Sequence, residues 1–275
     1  MTTRTWFITG VNSGFGRELA EQLLSRGDRV AGTVRRPDSV KDLQETYAES
    51  FWLGHLDVTD VPRIREVVDA AFADLGRIDV VVINAGYGLF GAAEEVSDEQ
   101  VQHQIATNLV GAIQTARAAL PHLRTQGSGR IIQISSVAGL AAHPGASLYH
   151  AGKWGVEGFM EALAQEVAPF NIGVTLVEPG GARTAFANGS LQLGEPLAAY
   201  DGTPAAMVRA FRNGPPPLPG DPAKIAARVI DSVDEEPAPL RLVLGGDSYA
   251  AVTAALRARL AQVEPQQGTA AETSS

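Results

Sequence analysis

The chain reads as an α/β protein: a single-domain, doubly wound parallel sheet of about seven strands with helices on both faces. Three observations predict it. Short apolar, β-branched runs alternate with segments of helical spacing along most of the 275 residues. The strand-like runs are apolar at successive positions, as in Ile-Asp-Val-Val-Val-Ile at 78–83, which suits strands covered on both faces. Right-handed crossovers between such strands then leave a doubly wound sheet. Ligands of these sheets bind beyond the carboxyl ends of the strands, where the strand order reverses.

Taken in order, Thr5–Thr9 is the first strand, ending in Gly10. Gly14–Ser25 is a helix with Phe15, Leu19, Leu23 and Leu24 on one side. Arg29–Val34 is the second strand, and a helix at 38–48 follows Arg35-Arg36-Pro37. The third strand, 51–56, closes at Asp57-Val58-Thr59, and Val61–Leu75 is a helix on the face of Ile64, Val67, Val68 and Phe72. The fourth, 78–83, runs into Asn84-Ala85-Gly86. Ser97, with Gln100 three residues on, caps a long helix to about Pro121. A strand at 130–134, a helix at 148–167 and a strand at 172–177 lead to Glu178-Pro179-Gly180. Residues 181–220 lose the pattern and are expected to form a lid or binding loop. Asp221-Pro222 opens a helix, 240–244 is the last strand, and a final helix ends near Val263. Residues 264–275 are small, polar and unpatterned, so a disordered tail is expected after one domain spanning 1–263.

Composition excludes several classes. The absence of cysteine rules out disulfides and thiolate metal sites, and the five histidines lack metal-ligand spacing, so no metal is expected. No apolar run reaches the ~18–20 residues of a membrane span. The first residues lack the features of a signal peptide, and a cytoplasmic location is the expectation. A net charge of −9 argues against nucleic acid or an anionic membrane as partner.

Thr9-Gly10-Val11-Asn12-Ser13-Gly14-Phe15-Gly16 joins the first strand to the first helix with the spacing G-x-x-x-G-x-G. Glycine allows positive φ and close approach of backbone to a ligand. The helix N-terminus behind it offers free N–H groups to a pyrophosphate. Taken alone, the turn suits a structural role as well as a phosphate site. Gly10, Asn84, Ser136 and Pro179 all follow strand ends, so they collect on one edge of the sheet.

Tyr149 and Lys153 are four apart, on one face of a helix. Ser136 lies thirteen residues upstream, and Asn108 is an unusual helix-interior residue that asks for a reason. With the glycine turn, these residues resemble the single-domain short-chain dehydrogenase/reductase family, from about Thr5 to about Leu244. The resemblance implies a Rossmann-type domain that moves a hydride between a nicotinamide and a ketone, aldehyde or secondary alcohol. Tyr149 would be the acid in reduction and the base in oxidation, with Ser136 holding the substrate oxygen. Lys153 would bond the nicotinamide ribose, and Asn108 would support a helix break and a water relay. A free phenol titrates near ~10, and lowering it by about three units takes roughly 4 kcal/mol. One cation at ~4 Å in an effective dielectric of ~20 supplies about that much. Lys153 is the expected cation.

The same resemblance assigns cofactor contacts to Gly10, Asn12, Ser13, Gly14, Phe15 and Gly16, to Asp57 and Val58 beside the adenine, and to Asn84, Ala85 and Gly86. Pro179, Gly180 and Thr184 would meet the nicotinamide carboxamide. Asp57 fits nearly as well as a helix-capping turn residue. Where an acid would bind the ribose hydroxyls of NAD stands Val34, followed by Arg35 and Arg36, which suit the extra phosphate of NADP(H). NADP(H) is therefore expected over NAD(H), with Arg35 first and Arg36 second. His150 is expected to point off the catalytic face, while Tyr87, Phe90, His143, Trp154 and Phe186 could line the pocket. The apolar 181–220 loop favours a hydrophobic substrate. Relatives commonly pair through the helices at 97–120 and 148–167, so a homodimer or homotetramer is expected. A non-catalytic NADP(H) sensor or scaffold would predict a broken Ser-Tyr-Lys set. An epimerase or lyase would share the residues but consume no net cofactor.

Overall fold

Strand β1 (Thr5–Thr9) is buried at every position and lies inside the sheet. Trp6 and Ile8 face one layer and Phe7 the other, which is why its sequence shows no polar alternation. The computed structural model describes residues 3–214 and 217–273. After β1 come α1 (Gly14–Ser25), β2 (Arg29–Val34), α2 (Lys41–Thr46), β3 (Phe51–His55), α3 (Val61–Leu75) and β4 (Val80–Ile83). Then follow β5 (Gly88–Phe90), α4 (Asp98–Ile105), α5 (Gly111–Gln126), β6 (Gly129–Ile134), α6 (Ser147–Val167) and β7 (Ile172–Pro179). The chain ends with β8 (Leu191–Leu193), α7 (Pro222–Asp231), β9 (Arg241–Leu244), α8 (Gly246–Val263) and α9 (Gln267–Glu272).

The main sheet has seven strands in the order β3-β2-β1-β4-β6-β7-β9. All its pairs are parallel. The order reverses between β1 and β4, so the doubly wound expectation holds and the switch point lies where Gly10 and Asn84 emerge. One face packs under α3, α5 and α6 through Ile64, Val68, Ala116, Leu123, Val156 and Met160. The other packs under α1 and α7 through Leu19, Leu23, Ala226 and Val229. No described helix is long and apolar enough to cross a membrane.

Three local expectations are corrected. The helix expected to stop near Pro121 runs from α4 through a π-helical turn, Ala106–Val110, into α5 and on to Gln126. Pro121 is on the solvent side, where water can take the carbonyl that proline leaves unbonded. The helix stops instead at Gly127, whose φ of 73° is left-handed. The loop region at 181–220 holds β8, which pairs in parallel with β5 as a separate two-stranded sheet. Residues 264–272, expected to be disordered, form a 3-10 turn and α9 with no buried residue, so no apolar pattern marks them. The remaining tail, 274–275, lies outside the described residues.

Candidate active site

The glycine turn is held by the end of β4. Thr9 Oγ1 accepts the N–H groups of Asn84 and Ala85 at 2.9 and 3.0 Å. Asn84 Nδ2 donates back to the carbonyls of Thr9 and Gly10 at 2.9 and 3.0 Å. Gly10 (φ +76°) and Gly14 (φ +58°) adopt conformations other residues avoid. A Cβ on Gly14 would lie 3.7 Å from Thr184 Cβ, so the turn and Thr184 stand close together on one cavity wall. Gly16 has another role. A Cβ there would collide with Gly10 O, so this glycine seats α1 against the turn and does not line the cavity.

One cavity of about 430 Å³ runs along this edge of the sheet. Its wall includes Gly10, Asn12, Ser13, Gly14 and Phe15 from the turn, and Arg35, Asp57 and Val58 from the ends of β2 and β3. It continues through Asn84, Ala85 and Gly86, then Ser136, Tyr149 and Lys153, then Pro179, Gly180 and Thr184. Arg36 is exposed and outside it, with its carbonyl bonded to Ser39, so only the first of the two arginines is placed to meet a ligand. Asp57 Oδ1 accepts from the N–H and hydroxyl of Thr59 at 2.9 and 2.7 Å. Burial acts most strongly on this carboxyl and raises its pKa. The Thr59 bonds, Arg35 and His103 outweigh that and hold it below the ordinary range.

Asn108 stands behind the wall, 3% exposed, in the π-helical turn. Its Oδ1 accepts from Tyr87 N–H at 3.1 Å and its Nδ2 donates to Tyr87 O at 2.7 Å. It therefore fixes the backbone after Gly86. Tyr87 in turn reaches His103 Nδ1 with its hydroxyl at 2.8 Å.

Tyr149 and Lys153 leave α6 one turn apart, as their spacing requires. Lys153 Nζ lies 5.8 Å from the Tyr149 ring centre and donates to Ile134 O at 2.9 Å. Ser136, at the end of β6, accepts from Ala138 N–H at 3.1 Å, which leaves its hydroxyl hydrogen for the cavity. Burial pushes the Tyr149 phenol up to about 12, against an opposing pull from the Ser136 hydroxyl. Burial also brings Lys153 down to about 8, with Glu157 opposing. Here the expectation from Coulomb attraction alone is corrected: burial disfavours both charged forms, raising the phenol and lowering the ammonium. At neutral pH the phenol keeps its proton, which is the form that can give a proton to a carbonyl oxygen.

Two features escaped the sequence. Glu157 lies one turn beyond Lys153 and accepts from the Ser135 hydroxyl and, at 2.6 Å, from Arg241. Arg241 also holds Glu161 and, at 2.5 Å, the fully buried Glu178, whose carboxyl is pushed up to about 7 by burial and by Glu157. The four-residue spacing 149, 153, 157 would have found this. His150 is the second. It is 6% exposed and lines the cavity, contrary to the expectation that it points away. The face shared by positions 150, 153 and 157 is its signal, since helical side chains three and four apart are neighbours. Phe90 and Phe186 stand 5.8 and 6.0 Å from the Tyr149 ring, and Phe211 stands 5.6 Å from Phe90. Trp154 instead is 42% exposed and lies beneath the Arg259 guanidinium at 4.3 Å.

Comparison with known proteins agrees with this arrangement. Residues 4–192 match the family model for short chain dehydrogenases. The oxidoreductase BOA17 of Botryotinia fuckeliana is 39% identical over 247 residues, which cover 90% of each chain. A short-chain dehydrogenase from Streptomyces avermitilis has a similar structure, with TM-score 0.93 and 38% identity over all of both chains. An alcohol dehydrogenase from the archaeon Thermococcus sibiricus, solved with 5-hydroxy-NADP, has TM-score 0.72 and 25% identity, covering 88% of this chain and 96% of its own. A reversed-order parallel sheet, a glycine turn at its switch point and a Tyr-x-x-x-Lys helix on the same edge thus have one common explanation: the chain belongs to the short-chain dehydrogenase/reductase family and is an NAD(P)-dependent oxidoreductase.

Proposed function

We propose that this oxidoreductase uses NADP(H) to interconvert an apolar ketone or aldehyde and its alcohol. The observation that carries the reading is that Ser136, Tyr149 and Lys153 share one cavity with the glycine turn. The residues present fit a dinucleotide: the positive-φ glycines Gly10 and Gly14 bring backbone without side chains to the cavity wall, and the N-terminus of α1 stands at the same turn. Reduced nicotinamide, when bound, supplies the hydride that reaches the carbonyl carbon. Tyr149 gives its proton to the carbonyl oxygen, and Ser136 donates a hydrogen bond to the same atom. Lys153 keeps N–H groups beyond its bond to Ile134 for a ribose hydroxyl. The aromatic rings around Tyr149 exclude water and favour an apolar substrate.

Arg35 supports the choice of phosphate-bearing cofactor. It lines the cleft where Val34 takes the place of an acid, and the Thermococcus relative was solved with an NADP derivative. Arg35→Asp is expected to cut the NADPH over NADH preference in kcat/KM by at least about tenfold, the worth of a charge-assisted contact. Arg36→Asp should change it far less. An Arg35→Asp enzyme with the wild-type preference would remove Arg35 from the site. The function itself is tested with NADPH and NADH against a panel of ketones and aldehydes. One alcohol is expected per NADPH consumed. Cofactor binding without turnover across the panel would point to a sensor, and product without net NADPH loss to an epimerase or lyase.

A further inference from the structure

The segment between Ser136 and Tyr149 forms one rim of the cavity through Val137, Ala138, His143 and Ala146. It has few bonds of its own. A 3-10 turn closes with Gly139 N–H on Ser136 O at 2.8 Å and Ala141 N–H on Val137 O at 2.9 Å. The next backbone anchors are the carbonyl of Gly145, taken by Gly91 N–H at 2.7 Å, and that of Ala146, taken by His150 N–H at 2.9 Å. The His150 ring spans the gap. Its Nδ1 is 2.8 Å from Ala138 O, and His143 N–H donates to its Nε2 at 2.9 Å. Ala138 is thereby held twice, its N–H on Ser136 Oγ and its C=O on His150. A single peptide residue links the substrate-holding serine to the neighbour of the acid.

The two partners admit one form of the ring. A carbonyl only accepts and an amide N–H only donates, so the imidazole must be neutral with its proton on Nδ1. A proton added at Nε2 would set two N–H groups against each other. We propose that His150 is a positioning residue for the reaction: its neutral Nδ1–H form holds residues 138–143 and with them Ser136 against Tyr149, and its protonation in acid shuts turnover down. The role rests on the oxidoreductase reading above. The groups facing the ring are the His143 ring at 5.5 Å and the Tyr149 ring at 6.5 Å, with Lys153 a turn along α6 and Arg259 of α8 bonded to Leu140 O of the same segment. None is a carboxylate that would favour a charged ring. Burial, and then His143, hold the His150 pKa below the ordinary 6.5. Because the folded value is the lower one, the strut is intact above about pH 6.5 and is lost as pH falls through the folded value.

The test has two arms on the full chain. Imidazole ¹⁵N NMR of the wild type should show His150 as the Nδ1–H tautomer at neutral pH. An Nε2–H tautomer would overturn the proposal. In the second arm, kcat for carbonyl reduction is followed from about pH 8 to about pH 5 in wild type, His150→Asn and His150→Phe. Wild type should lose turnover in step with the titration of the His150 resonance, at a pH below the ordinary 6.5. His150→Phe, missing both bonds, should be down roughly tenfold to a hundredfold at neutral pH. His150→Asn, able to keep the bond to Ala138, should recover part of that loss, and both variants should lack the acid limb with NADPH Kd unchanged. An acid limb that persists in His150→Asn would overturn the role. Should neither variant fold, coincidence of the wild-type limb with the His150 titration decides. Failure of wild type to turn over any carbonyl would sink the function while the tautomer arm still stands.

Discussion

Tyr149→Phe is expected to lower kcat for carbonyl reduction by about 10²- to 10⁴-fold and leave NADPH binding intact, the range for loss of a positioned acid. The substitution removes one oxygen. The ring keeps its contacts with Phe90 and Phe186, so the wall of the cavity and the fold should not change. The cofactor contacts proposed above reside mainly in the Gly10–Gly14 turn and at Arg35, away from the phenol. The pattern to look for is a collapse of kcat in steady-state NADPH consumption beside an unchanged Kd by cofactor fluorescence. A Tyr149→Phe enzyme within tenfold of wild type would mean that some other group gives the proton.

Lys153→Ala is expected to move the onset of alcohol oxidation upward by roughly one to two pH units, the usual effect of removing a neighbouring cation. Oxidation needs the phenolate as base. The phenol is raised to about 12 in the protein alone, so at neutral pH the ionised fraction is small and grows about tenfold per unit of pH. The oxidation rate should therefore climb with pH, whereas reduction, which uses the protonated phenol, should show no such climb. The role proposed for Lys153, while its ammonium is protonated, is to favour the phenolate and lower the curve. Without it the climb begins later, and near neutral pH, where Lys153 still carries its charge, oxidation should fall by about 10- to 100-fold. Rates of oxidation against pH in the two proteins check this, and superimposable profiles would show that the lysine acts only as a ribose ligand.

The sheet was legible because its strands are buried on both faces. Residues 80–83 are all apolar and all buried. The β5–β8 pair was not legible, since three-residue strands in an apolar loop carry no periodicity. Neither was the continuation of α5 beyond Pro121, because only the solvent exposure of that proline makes it tolerable. The site was legible as types and spacings: glycines, a serine at a strand end and a Tyr-x-x-x-Lys pair all reach one cavity. The exceptions have physical reasons. Gly16 serves packing, Asn108 braces Tyr87 from behind the wall, and Arg36 turns to solvent. The electrostatics were not legible. Charge attraction can be reckoned from spacing, but the burial that reverses it at Tyr149 depends on residues such as Phe90 and Phe186, far apart in sequence.

The most direct measurement is an ultraviolet titration of tyrosinate in wild type and Tyr149→Phe, each with and without saturating NADP⁺. The positive nicotinamide ring should draw the Tyr149 phenol down, so at about pH 10 wild type with NADP⁺ should hold one more tyrosinate than Tyr149→Phe. Without NADP⁺ the two proteins should match, as burial keeps this phenol protonated to about 12. Equal tyrosinate in the two proteins at about pH 10 with NADP⁺ bound would contradict Tyr149 as the group that exchanges the proton.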